Sequence, residues 1–115
     1  MAGNGVESGG LQGEMCPDEV RARLVAGEDL FFLDVREVDE VAEWAFPHGV
    51  NIPMSELGAR TAELPTDRVI VVACRSGRRS RHVADVLNSA GWTAVNLTGG
   101  ALAWVASESA GSSAP

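Results

Sequence analysis

The residues best suited to chemistry form one short run, Cys74-Arg75-Ser76-Gly77-Arg78-Arg79-Ser80, directly after the most apolar stretch of the chain, Val69-Ile70-Val71-Val72-Ala73. A thiol acts as a nucleophile through its thiolate. Three features of this run favour that form. The apolar stretch reads as a buried strand and the residues beyond the loop as a helix, which sets Cys74 near the positive end of a helix dipole. The tight turn between them carries successive N–H groups that can fold into an anion-binding nest, and Gly77 allows backbone angles that a side chain would forbid. Arg75, Arg78, Arg79 and, further on, Arg81 add positive charge. Comparable surroundings bring a cysteine pKa from about 8.5 to between roughly 3.5 and 7.5. Cys74 is therefore expected to be ionised at neutral pH without a partner histidine.

The charge balance of the chain sharpens this expectation. Its 115 residues include nine arginines, no lysine and sixteen acids, for a net charge of −7. Residues 74–82 nevertheless hold four of the arginines and no acid. A cationic pocket in an acidic protein suits a small anion and repels nucleic acid and acidic membranes. The bland alternative makes Cys74 a small apolar filler and the arginines a solvated face. It leaves unpaired positive charge at a helix N-terminus, a conflict that a bound anion would remove.

The elements that must hold this loop alternate between helix and strand. Pro17, with Asp18 and Glu19, starts a helix that Gly27 is placed to end. Leu30 to Val35 is continuously apolar except for Asp34 and reads as a strand buried on both faces. Val38, Val41 and Trp44 mark a short amphipathic helix over 37–44, Val50 to Ile52 a brief strand, and Ser55 with Glu56 a short helix reaching Arg60. Arg68 to Ala73 is the clearest strand. After the loop, Val83, Ala84, Val86, Leu87 and Ala90 recur at helical spacing up to Gly91; Thr93 to Leu97 is another strand, and Gly99-Gly100 leads into a last helix. The pattern predicts an α/β domain with a mostly parallel sheet and helices on both faces. Ligands in such sheets sit at the carboxyl ends of strands, which points to the loop after Ala73. The length suits one domain. Residues 1–13 and 107–115, rich in Gly, Ser and Ala, are expected to be a flexible leader and tail around a folded part spanning 14–106.

No apolar run approaches the roughly 18 residues of a membrane span. The N-terminus has neither a basic start nor an apolar stretch, and two cysteines 58 positions apart make no disulfide framework. A reducing, cytoplasmic setting is expected.

Four motifs in register identify a family. Leu33-Asp34-Val35-Arg36-Glu37, then Asn51-Ile52-Pro53, then the Cys74 to Ser80 loop, then Gly99-Gly100-Ala101-Leu102-Ala103-Trp104 resemble a single-domain rhodanese, a sulfurtransferase, over about 16–105. The resemblance implies a compact α/β fold around a five-stranded parallel sheet. It implies that Cys74 takes a sulfur atom from thiosulfate or another donor, holds it as a persulfide, and passes it to cyanide, a thiol or a protein acceptor. Arg75, Ser76, Gly77, Arg78 and Arg79 would bind the persulfide and the departing sulfite, and no metal or organic cofactor is needed. In one stretch the chain departs from the family. Trp44-Ala45-Phe46-Pro47-His48-Gly49 stands where Gly-His-Ile-x-Gly-Ala is common, which bears on the pocket wall and on acceptor choice.

Two other functions compete. Cysteine phosphatases and arsenate reductases of related fold resemble Cys-x5-Arg, whereas Arg79 closes a Cys-x4-Arg loop here and Ser80 takes the next position. The smaller ring of amides is better matched to a single sulfur than to a tetrahedral phosphoryl group. A non-catalytic interaction module is the rival from another class, and the presence of Cys74 in an arginine-rich loop speaks against it. The remaining residues read as structural. Asp34 is expected to brace the neighbouring loops beside Arg36. Cys16 stands at a helix cap, His82 faces solvent, and His48 lies in a turn without metal-ligand spacing. Trp44, Trp92 and Trp104 read as packing residues.

Overall fold

A parallel strand covered on both faces has to be apolar at successive positions, and this requirement shapes the centre of the molecule. The computed structural model describes residues 13–113. Its five strands are β1 (Gly13–Met15), β2 (Phe31–Asp34), β3 (Val50–Asn51), β4 (Val69–Ala73) and β5 (Thr93–Leu97). They form one sheet in the order β1-β5-β4-β2-β3 with every pairing parallel. The helices are α1 (Pro17–Val25), α2 (Val38–Glu43), α3 (Met54–Leu57), α4 (Arg78–Ser89) and α5 (Gly100–Ser113), with a 3-10 turn at Thr61–Glu63.

Alternation along β4 divides the core. Ile70, Val72 and Cys74 join Leu33, Leu57 and Leu64 with Val83 and Leu87 of α4. Val71 and Ala73 join Val20, Phe32, Phe46, Val95 and Leu97 with Ala101 and Trp104 of α5. Phe32, Phe46 and Trp104 meet edge-on or tilted, with ring centroids 4.8–5.8 Å apart. The sheet thus has α3 and α4 on one face and α1 and α5 on the other. Cys74 lies one step past the end of β4 and continues its alternation onto the α4 face.

Local signals set several boundaries. Pro17 occupies the first turn of α1, and Gly27, at φ +88°, closes it. The Gly27 N–H donates to the Leu24 carbonyl and the Glu28 N–H to that of Arg23, which satisfies the last carbonyls of the helix.

Other expectations need correction. The fifth strand, β1, has only three residues, too few for a periodic signal, and pairs Glu14 with Asn96. The expected leader lies outside the described residues apart from Gly13, which opens β1. The last helix runs past Ser107 as far as Ser113, with helix-favouring alanines at positions 101, 103 and 106. The short helix expected to reach Arg60 ends at Leu57. In α2 no residue is buried, and Val38 is 63% exposed. Of the expected stripe, Trp44 just past the helix end packs against Phe46 and the core while Val38 does not, and the acidic side of the helix anchors it to Arg79. Among the described residues no helix is long and apolar enough to cross a membrane.

Candidate active site

Cys74 is 1% exposed, and its sulfur lies where the chain turns from β4 into α4. The N–H groups of Gly77 and Ser80 point at Sγ from 3.1 and 3.4 Å, and the Ser80 hydroxyl oxygen lies 3.3 Å away. The Ser76 N–H also faces it. Gly77 makes this geometry possible. It is the N-cap of α4 with φ +94°, and a Cβ there would stand 3.1 Å from the Gly99 nitrogen. Burial alone pushes the thiol pKa up. The Ser80 hydroxyl and the N–H groups of Ser80, Gly77 and Ser76 outweigh it, leaving Cys74 below the ordinary cysteine value. These fixed dipoles favour the anionic form of the buried sulfur.

The expected cluster of four free arginines is corrected by the fold. Arg79 is clamped by Glu40 of α2 through two hydrogen bonds of 2.8 and 2.7 Å. This bidentate pairing is the first cause holding Glu40 at a pKa of about 2, and it raises Arg79 well above its ordinary value. Arg81 pairs with Glu14 of β1. Arg75 and Arg78 are exposed, and among the described residues no carboxylate lies within ion-pair distance of either. The local excess of positive charge therefore rests on these two side chains. Two acids remote in sequence, invisible to a local charge count, neutralise the others.

Neighbouring elements fix the loop from below. The Ala101 N–H donates to the Cys74 carbonyl at 2.8 Å and the Leu102 N–H to that of Arg75 at 3.0 Å, so the start of α5 grips the loop backbone. That contact requires Gly100, because a Cβ there would lie 2.3 Å from the Cys74 carbonyl oxygen. Asn96, buried in β5, accepts from the Ser80 hydroxyl at 2.5 Å and donates to the Gly77 carbonyl at 3.1 Å. Asn96 and Glu40 were not singled out from the sequence, and Ser80 and Gly100 were read only as the end of the loop and as part of a motif, without a role at the sulfur. Asn96 does carry one signal there, as the lone amide in an otherwise buried apolar strand end.

Asp34 and Arg36 form a buried pair, with Arg36 Nη2 2.8 Å from Asp34 Oδ2. Arg36 also donates to the Trp44 carbonyl, and the Asn51 amide donates to the carbonyls of Asp34 and Arg36. These contacts brace the loops on the α2 side, the role expected for Asp34. Beside them a cleft of about 240 Å³, bounded by Asp39, Glu43, Trp44 and Leu102, reaches Arg75. Cys16 is exposed and makes no side-chain cap on α1. Both His48 and His82 are exposed, and among the described residues no cluster of His, Cys, Asp and Glu has the makings of a metal site.

Comparison with known proteins adds to this geometry. The rhodanese-like domain family matches residues 17–107. A putative sulfurtransferase of Bacillus subtilis is 37% identical over 91 residues, covering 79% of this chain and 88% of its own length. A sulfurtransferase of Allochromatium vinosum is 36% identical over 92 residues, covering 79% and 86%. Among solved structures, a rhodanese-like domain protein from Staphylococcus aureus superposes with a TM-score of 0.77 at 28% identity, over 81% of this chain and 91% of that one. A thiosulfate sulfurtransferase from Pseudomonas aeruginosa gives 0.76 at 30% identity, over 90% of this chain and 20% of that one.

Proposed function

The chain belongs to the rhodanese-like sulfurtransferase family, and on that premise we propose that Cys74 carries a sulfane sulfur atom from an anionic donor such as thiosulfate to a thiophilic acceptor. The observation that carries this reading is the convergence of the Gly77 and Ser80 N–H groups and the Ser80 hydroxyl on one buried sulfur.

The chemistry follows from that convergence. The Cys74 thiolate attacks the outer sulfur of thiosulfate. A new S–S bond forms to Cys74, the S–S bond of the donor breaks, and sulfite leaves with the electron pair. The terminal sulfur of the resulting persulfide is anionic and draws on the same ring of N–H donors. Donors already aimed at a developing charge need no reorganisation during the reaction. In the second half, cyanide or a thiolate attacks the terminal sulfur and the electron pair of the breaking S–S bond returns to Cys74. Attack of an anion on a dianion needs positive potential, which Arg75 and Arg78 supply at the mouth of the loop. Neither half-reaction calls for a general base once the thiolate is preformed.

Formation of thiocyanate from thiosulfate and cyanide tests the reading. Wild-type protein is expected to turn over, and Cys74→Ser, close to isosteric, to lose activity while its circular dichroism and melting curve stay near those of wild type. Undiminished activity in Cys74→Ser would eliminate the proposal.

A further inference from the structure

Asn96 is 2% exposed, and its amide orientation follows from its neighbours. Nδ2 faces three acceptors, the two Glu14 carboxylate oxygens at 3.2 and 3.3 Å and the Gly77 carbonyl at 3.1 Å. Oδ1 therefore faces the Ser80 hydroxyl. That hydroxyl has one proton and two acceptors in reach, Asn96 Oδ1 and Cys74 Sγ.

We propose that Asn96 is a positioning residue for the nucleophile, competing with the Cys74 sulfur for the single proton of Ser80. With Cys74 as a thiol, Ser80 donates to Asn96 and the S–H can donate to the Ser80 oxygen, so every group is satisfied. When Cys74 ionises, its proton leaves to water and its sulfur only accepts. The Ser80 hydroxyl then turns to the sulfur, keeping its own proton, and leaves Asn96 Oδ1 buried without a donor. Ser80 thus favours the anion while Asn96 favours the thiol, and the balance sets how much sulfur anion stands ready. The charged groups around this trio are Arg79 of α4 with Glu40 of α2, Arg81 of α4 with Glu14 of β1, and Arg75 and Arg78 on the loop. None of them is altered in the variants below.

The inference rests on the reading of Cys74 as the nucleophile. Its ionisation, however, can be measured without any sulfur transfer, so the two proposals fail separately. The probe is the pH dependence of iodoacetamide alkylation, followed at the Cys74 peptide by mass spectrometry to exclude Cys16. Ser80→Ala is expected to raise the Cys74 pKa. The shift caused by Asn96→Leu is expected to be more downward in the wild-type background than in Ser80→Ala, by about 0.5 or more, the equivalent of one modest hydrogen bond. Equal shifts in the two backgrounds, the mark of a merely structural Asn96, overturn the proposal. Should Asn96→Leu fail to fold, NMR of the intact side-chain amide decides. The Asn96 resonances are expected to follow the Cys74 titration in the wild type and to lose most of that response in Ser80→Ala. An unchanged response overturns the proposal.

Discussion

A sulfur anion can be stabilised by nearby cations or by aimed dipoles, and the loop around Cys74 relies chiefly on the second. Its N–H groups and the Ser80 hydroxyl touch the sulfur, whereas Arg79 is held first by Glu40 and bears on Cys74 only secondarily. The arginines should therefore divide into two kinds. Arg75→Ala and Arg78→Ala are expected to raise the KM for thiosulfate several-fold at low ionic strength and much less at high, because salt already screens exposed charge. Arg79→Ala is expected to reduce turnover by a similar factor at both, since it removes the anchor between α4 and α2. Steady-state kinetics at two salt concentrations checks both, and a salt-dependent loss for Arg79→Ala would show that its charge reaches the donor directly. Cys74 and its loop were legible in the sequence because their features are contiguous. The partners that refine the site were not, since Glu40 reaches Arg79 across 39 positions and Glu14 reaches Asn96 across 82.

At the scale of elements, the loop is a joint between the end of β4 and the starts of α4 and α5. Gly100 lets α5 begin against the Cys74 carbonyl, with φ +60° and no room for a Cβ. Gly100→Ala is expected to cost about 2 kcal/mol or more through overpacking and backbone strain, and to lower sulfur transfer as the loop shifts. Gly58→Ala, at φ −57° with open space around it, is expected to be near neutral and serves as the control. Chemical denaturation of the two variants checks the contrast; equal stability would remove Gly100 from the joint. Strands β2 and β4 were legible as short continuous apolar runs, and the long helix after the loop because its apolar residues recur at helical spacing. The short α2 was misread on its exposed face. Val38 and Val41 mimic a buried stripe, but the helix is held by a capping box between Glu37 and Glu40 and by the Arg79 clamp.

Across the whole molecule, the order β1-β5-β4-β2-β3 brings remote acids to the carboxyl edge of the sheet, where they meet the arginines that follow Cys74. This has a consequence in acid. Glu40 has a folded pKa of about 2, below that of an unfolded glutamate, so its contribution to stability is complete above the unfolded value of roughly 4.3 and is lost as pH falls toward 2. Glu40→Gln is expected to be less stable than wild type at pH 6, with the gap narrowing between pH 4.5 and 2.5. Denaturant midpoints across that range check the sign, and a gap that does not change with pH would mean that Glu40 acts by shape rather than by charge. The parallel architecture and its carboxyl-edge site were legible from alternating elements. The three-residue β1 that delivers Glu14 carries too little pattern to be read and is visible only through its pairing with β5.

The central claim is that Cys74 accepts a sulfur atom, and mass spectrometry of the protein after exposure to thiosulfate tests it most directly. The expected result is one added sulfur, located on the Cys74 peptide, absent from Cys74→Ser and removed by cyanide with release of thiocyanate. An unmodified Cys74, or sulfur found on Cys16 alone, would contradict it.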